Sequence, residues 1–273
     1  MKKLILASAI ASAFAGQVAY AADAAPAPAA TPEHVVTYNM GVTTDYVFRG
    51  ISQSRNSPAV SGGVDYSHSP TGLYLGAWTS TIKWIQDADT VNTTNATRSN
   101  TPFEVDLYGG IKGDIGGGLS YDTGAIYYYY PSHKLGKTAD ANTLEVYGKV
   151  AYGPVYFKVN YALTDAFWTS NTAGSYYLDL GGDFPLMEGL VANVHYGSFA
   201  FAKDTVYPNV SDYNYQDWKL GLTKDLGNGL SGALAATGTN ATNIKSDGTA
   251  VWNFGSTGYL GGNKVIATLT KTF

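Results

Sequence analysis

The sequence predicts an all-β protein: a transmembrane, antiparallel, up-and-down β-barrel of about twelve strands behind an N-terminal signal peptide. Three observations carry this. Apolar and polar residues alternate along most of the chain. The chain opens with an export leader. Short turns alternate with long polar connections. In the first strand, Val36, Tyr38, Met40, Val42, Thr44, Tyr46 and Phe48 form one set, and Thr37, Asn39, Gly41, Thr43, Asp45, Val47 and Arg49 the other. Side chains alternate faces along a strand, so the first set makes an apolar face and the second a polar one. An outer-membrane barrel uses that pattern with apolar groups toward lipid and polar groups toward the lumen.

The leader comes first. Met1-Lys2-Lys3 is a positive start, residues 4–15 are apolar but too short to span a bilayer, and Ala19-Tyr20-Ala21 fits a small-x-small cleavage site. We assign 1–21 as signal peptide, 22–33 as an Ala/Pro-rich linker and 34–273 as the barrel. The net charge is −4, and it becomes more negative when Lys2 and Lys3 leave. An acidic chain argues against a nucleic-acid partner. With no cysteine there is neither a disulfide framework nor a thiolate metal site. The 32 glycines and 22 tyrosines suit a chain of strands and tight turns.

Strands are expected over approximately 35–49, 58–68, 73–84, 102–112, 119–131, 142–152, 155–165, 175–184, 190–202, 213–226, 230–239 and 262–273. Turn formers fill the short connections at 69–72, 113–118, 153–154, 185–189 and 227–229. The connections at 85–101, 132–141, 166–174, 203–212 and 238–261 are long and polar, and 52–57 is moderate. Outer-membrane barrels keep short turns on the periplasmic side and long loops outside. An even strand number then puts both termini in the periplasm. Phe103, Leu107, Val146, Val159, Leu180 and Leu220 fall on the outward face by parity. In the third strand, Leu73, Leu75 and Ala77 compete with Tyr74, Trp78 and Ile82. An inverted barrel, charged outside and apolar within, would describe a soluble ligand carrier. Tyr46, Phe48, Trp84, the run 127–130, Phe167, Trp168, Phe199, Phe201 and Tyr213 cluster near strand ends, as interfacial girdles do.

The chain ends Val265-Ile266-Ala267-Thr268-Leu269-Thr270-Lys271-Thr272-Phe273. The terminal Phe273, with apolar residues at alternate positions, resembles the signal read by outer-membrane assembly machinery; Lys271 departs from it. Residues 44–54, Thr-Asp-Tyr-Val-Phe-Arg-Gly-Ile-Ser-Gln-Ser, resemble the N-terminal signature of the TorF family of porin-like proteins, and 72–78 and 119–124 resemble later blocks. The resemblance implies a Gram-negative outer-membrane channel. It brings no established solute and no functional residues.

Twelve strands lie between the filled eight-stranded barrel and the wide channels of sixteen or more, so a narrow lumen is expected. Pore-lining candidates are the acidic Asp45, Glu104, Asp106, Glu145, Asp179 and Asp217, the basic Arg49, Lys112, Lys149, Lys158 and Lys219, and His195. Most of the acids fall toward the long-loop end. Lys112, Lys149 and Lys158 fall toward the short-turn end, and Arg49 and Lys219 break the sorting. Two readings stay open: a charge path selecting small polar or charged solutes, and internal salt bridges that plug the lumen. Lys149 and Lys158 face each other across the 153–154 turn and require an acidic neighbour or an anion.

No cofactor, metal site or catalytic residue is assigned. Of His34, His68, His133 and His195, the last points inward near Asp179, but Ser198 lies on the opposite face, so no hydrolase triad forms. Gly227-Asn228-Gly229-Leu230-Ser231-Gly232 matches a dinucleotide fingerprint by letters only, since it joins two strands. Asp87 and Asp89 are too few for a calcium site. Asn92, Asn95, Asn209 and Asn240 match glycosylation acceptors that a bacterial export context leaves as polar loops. The expected partners are outer-membrane lipid, small solutes and the assembly machinery. A plugged surface-interaction barrel and a lipid-modifying enzyme are the alternatives.

Overall fold

The computed structural model describes residues 32–86, 101–131, 141–167, 169, 171–202, 213–244, 246, 248, 251–253 and 258–273. The leader, nearly all of the linker, Asp87, Asp89, Asn92, Asn95, His133, Trp168 and Asn209 lie outside the described residues.

Among the described residues there are fourteen strands: β1 (His34–Thr43), β2 (Val47–Phe48), β3 (Ile51–Ser52), β4 (Ala59–His68), β5 (Leu73–Thr81), β6 (Phe103–Gly116), β7 (Leu119–Tyr129), β8 (Thr143–Tyr152), β9 (Val155–Ala162), β10 (Tyr176–Met187), β11 (Leu190–Ala200), β12 (Tyr215–Gly227), β13 (Leu230–Thr239) and β14 (Lys264–Thr272). Twelve of them form one closed antiparallel barrel in which every strand neighbours its sequence neighbours and β1 also pairs with β14. Closure removes the unpaired edges that an open sheet would present. The remaining two, β2 and β3, pair only with each other.

The barrel's outer wall is apolar. Val36, Tyr38, Met40 and Val42 are each about half exposed, as are Leu107, Leu180 and Leu220. Between them the polar residues turn inward: Glu104, Asp106, Glu145, Asp179 and Asp217 are all buried. In β5, Leu73 and Leu75 face out while Tyr74 and Ser80 are buried, which resolves the ambiguity of that strand. The short turns after β6, β10 and β12 each carry an extra residue at the register, next to Gly116, Met187 and Gly227. Such bulges turn a strand sharply and increase its twist.

The first strand is shorter than expected. Alternation continues to residue 49, but β1 ends at Thr43, and Tyr46 and Phe48 are buried inside the barrel instead of facing outward. Arg49, Gly50, Arg55 and Asn56 have φ of 45, 79, 62 and 49°, in the left-handed region that no regular strand adopts. The chain therefore leaves the wall after Thr44, whose amide donates to the Ala267 carbonyl (2.9 Å), and rejoins it at Ala59.

Inside the wall, tyrosines lie across glycines of the adjacent strand. Tyr108 stands opposite Gly76, and Tyr156 opposite Gly181. A Cβ at Gly76 would fall 2.2 Å from the Tyr108 ring. The ring covers backbone that a glycine leaves bare, which pins register. Gly76→Val is expected to displace Tyr108 and destabilise the barrel by about 1–3 kcal/mol, the usual range for overpacking. Urea unfolding of the refolded protein, followed by tryptophan fluorescence, measures it; an unchanged midpoint would contradict the packing role.

Candidate functional site

The site is the lumen, and its centre is the segment that leaves the wall. β2 and β3 pair through Val47–Ser52 and Phe48–Ile51, joined by Arg49-Gly50. With φ positive at both central residues, this is the two-residue turn whose twist suits a hairpin. Gly50 is required twice over: its φ is +79°, and a Cβ there would lie 2.6 Å from the Asp217 Cβ. The base of the hairpin is tied by Asp45. Its carboxylate accepts from Ser52 Oγ (2.6 Å) and Ser54 Oγ (2.9 Å), with Lys264 Nζ at 3.3 Å. The Tyr46 amide donates to Ser54 Oγ (2.9 Å), and its hydroxyl donates to Glu104 Oε1 (2.6 Å).

At the tip, Arg49 reaches across the barrel to β8, five places round the ring from β1. Its two terminal nitrogens donate to the two oxygens of Glu145 at 2.9 and 2.6 Å. Both side chains are almost fully buried. The guanidinium also lies over the rings of Tyr177 (4.4 Å), Phe48 (4.7 Å) and Phe199 (5.1 Å). Asn160 Nδ2 donates a further bond to Glu145 (3.0 Å). A fork-to-fork pair with added hydrogen bonds and ring contacts is the arrangement in which buried opposite charges are tolerated.

Toward the long loops, an aromatic cluster fills the space around the hairpin. Phe48, Tyr128 and Phe167 pack at 5.5–5.7 Å between centroids. Phe199, Phe201, Tyr215 and Trp252 continue the layer. This corrects the girdle expectation. Tyr46, Phe48, Trp84, Tyr128, Tyr130, Phe167, Phe199 and Phe201 are buried, with Tyr213 packed against them. Only alternate residues of the tyrosine run face outward, such as Tyr129. The rings cluster at strand ends because the inserted hairpin offers an apolar surface there.

On the short-turn side, the lumen holds a cavity of about 720 Å³ lined by charged, hydroxyl and tyrosine side chains. It runs from Gly189, Gly229 and Thr272 at the mouth up to Asp45, Phe48 and Arg49 of the hairpin. Lys112, Asp122, Lys149, Lys158 and Asp179 occupy consecutive register positions on β6 to β10. Lys149 and Lys158 do face each other, and Asp122 and Asp179 flank them. Their ammonium groups also sit over Tyr156 (4.4 Å) and Tyr147 (4.3 Å). Tyr74 donates to Asp122 (2.5 Å) and bonds the Tyr147 hydroxyl. His195 bridges two acids, with Nδ1 2.7 Å from Asp179 and Nε2 2.6 Å from Asp217. Tyr177 also donates to Asp217 (2.9 Å), and Lys219 stands opposite His195.

Among the sequence-derived candidates, Asp45, Arg49, Asp106, Lys112, Lys158, Asp179, His195, Asp217 and Lys219 line this cavity. Glu104 and Glu145 are buried behind the hairpin, and Lys149 is turned onto Tyr156. Asp106 is exceptional. It is 1 % exposed, it borders the cavity, and neither carboxylate oxygen has a hydrogen-bond partner. Sequence reasoning missed the hairpin and the tyrosine network. The signal available was Arg49-Gly50, a turn pair between two short β-prone segments.

Truncating one partner of a buried ion pair costs about 3–5 kcal/mol. In Arg49→Ala that loss falls on the hairpin, whereas the barrel's own ladder is untouched. Hydrogen exchange at 44–57 is expected to accelerate strongly while the strand amides stay protected; equal protection in both proteins would refute the anchoring role.

Comparison with known proteins agrees with this architecture. The family described as "Bacterial protein of unknown function (Gcw_chp)" matches residues 27–273. A search of curated proteins finds no match. Among solved structures, the KdgM porin is similar with a TM-score of 0.50 at 6 % identity, over 87 % of this chain and 98 % of that one. The NanC porin gives 0.49 at 9 %, over 88 % and 99 %. The COG4313 outer membrane channel from Pseudomonas putida F1 gives 0.49 at 9 %, over 89 % and 97 %. At these identities the likeness concerns the fold.

Proposed function

The chain belongs to the Gcw_chp family, and on that premise we propose that it is a Gram-negative outer-membrane porin. Small polar or charged solutes diffuse passively through its narrow, charge-lined lumen. One observation carries the reading: the closed barrel has inverted polarity, with an apolar wall outside and acidic and basic side chains within. Water outside would favour the opposite arrangement; hydrocarbon outside requires this one. The resemblance of 44–54 to the TorF signature supports the same reading, as does the similarity in fold to a protein named a porin.

Selection belongs to the polar belt. Asp106 borders the cavity with two unbonded but covered carboxyl oxygens, acceptors for a cation that reaches that wall, and Lys158 offers positive charge at the next level toward the mouth. Solutes, surrounding lipid and the assembly machinery, the last through exposed Phe273, are the partners this reading requires. The Arg49–Glu145 anchor and the aromatic layer favour a second reading, a barrel plugged at the long-loop end. No hydrolytic step is part of either, since His195 contacts Asp179, Asp217 and Tyr177.

Planar-bilayer recording separates the two. A porin gives discrete ohmic steps, and Arg49→Ala, which frees the hairpin, gives larger ones. Silence from both proteins across salts and voltages would end the channel reading; silence from the wild type alone would establish the plug. In the conducting protein, Asp106→Asn is expected to lower cation preference and Lys158→Gln to raise it, each shifting the reversal potential in a salt gradient. Unmoved potentials would remove these residues from the path.

A further inference from the structure

Outside the lumen, at the short-turn end, the register brings a consecutive pair, Glu33 and His34, beside the distant His68. His34 opens β1 and His68 closes β4, and the two are direct cross-strand partners. Glu33 precedes His34. One ligand atom from each of the three lies within 4.8 Å of the others. Their arrangement is more specific than proximity. His68 Nε2 is 3.1 Å and His34 Nε2 is 3.8 Å from the same oxygen, Glu33 Oε1. The other ring nitrogens are held by hydroxyls: His68 Nδ1 by Thr71 Oγ1 at 2.7 Å, and His34 Nδ1 by Tyr66 Oη at 2.8 Å. Glu33 is held too, because its carbonyl accepts from the Ser69 amide (2.9 Å) and the neighbouring Pro32 carbonyl from Ser69 Oγ (2.8 Å).

We propose that Glu33, His34 and His68 form a binding site for a divalent transition metal of the zinc or copper class at this rim of the barrel. Two imidazoles and one carboxylate are a ligand set that zinc accepts with a water in the fourth position. With metal–ligand bonds of about 2.0–2.2 Å, ligand atoms around one tetrahedral ion lie roughly 3.3 Å apart. The two distances to Glu33 bracket that value. In the bound state both rings carry their proton on Nδ1 and donate it to Thr71 and Tyr66, which leaves both Nε2 lone pairs for the metal. Fixing a ligating histidine through its second nitrogen is the usual support for such a site. Imidazole ligands favour zinc, copper and nickel, whereas magnesium and calcium prefer oxygen alone. The ion would fasten the start of β1 to the end of β4. The site lies outside the lumen, so the proposal stands independently of whether the barrel conducts.

Isothermal titration of zinc chloride into the mature protein, purified in detergent without a polyhistidine tag, tests this. The expected result is one saturable site. His34→Asn and His68→Asn each weaken it by at least the roughly 10–100-fold that loss of supporting groups alone produces at metal sites. Both positions are at the rim, and heat-modifiable migration on gels verifies that the variants are folded barrels. Calcium and magnesium at the same concentrations are expected to leave the zinc isotherm unchanged. Absence of saturable zinc binding, undiminished binding in the two histidine variants, or displacement by calcium would each overturn the proposal.

Discussion

A wall whose outer face is apolar leaves the chain only one place for its charges, and everything inside this barrel follows from that constraint. Burying an ion without a partner is far more costly than any single contact can offset. The wall strands carry acids at Glu104, Asp106, Glu145, Asp179 and Asp217 on their inner faces. Lys112, Lys149, Lys158 and Lys219 stand on β6, β8, β9 and β12 of the same wall. The positive charge bonded to Glu145 comes from Arg49, which is delivered by the inserted hairpin and not by a wall strand. The hairpin is thus part of the electrostatic balance of the wall as well as an obstruction within it.

The two halves of the lumen answer the constraint differently. Near the long loops, the rings of the hairpin and the wall exclude water, and the carboxylates there are matched one by one with hydroxyls and a guanidinium. Near the short turns, lysines and aspartates of β6 to β10 share one belt beside the cavity. A solute entering from the short-turn side would meet charge of both signs before it met the hairpin. Asp106 sits at the boundary, without partners on either side.

Much of this could be read in the sequence, because period-two patterning and turn chemistry are local. The twelve wall strands, the inward parity of Glu104, Lys158 and His195, and the pairing of Lys149 with Lys158 all follow from alternation counted across short turns. The same rule failed at Tyr46 and Phe48. Alternation is blind to whether a strand continues in the wall or dives from it, since β2 and β3 are themselves strands. What decides the matter is the left-handed backbone at Arg49 and Gly50 and a partner on β8, neither of which period-two patterning detects. The aromatic residues misled for a related reason. Clustering near strand ends is shared by an interfacial girdle and an internal layer, and only the position of the hairpin distinguishes them. His34 and His68 were visible as isolated histidines, and only the β1–β4 register makes them neighbours.

The hairpin's two anchors have a consequence for biogenesis. Arg49 waits for a residue 96 positions later, and Asp45 for Lys264, 219 positions later and beside the β1–β14 seam. That seam's ladder covers Asn39–Thr43 of β1, with backbone bonds from Tyr38 to Phe273 and from Thr44 to Ala267 at its ends, against the whole of the strand on its β4 side. An early-translated segment therefore acquires its last contact only when the cylinder shuts, and its docking marks the moment at which the newborn barrel is complete.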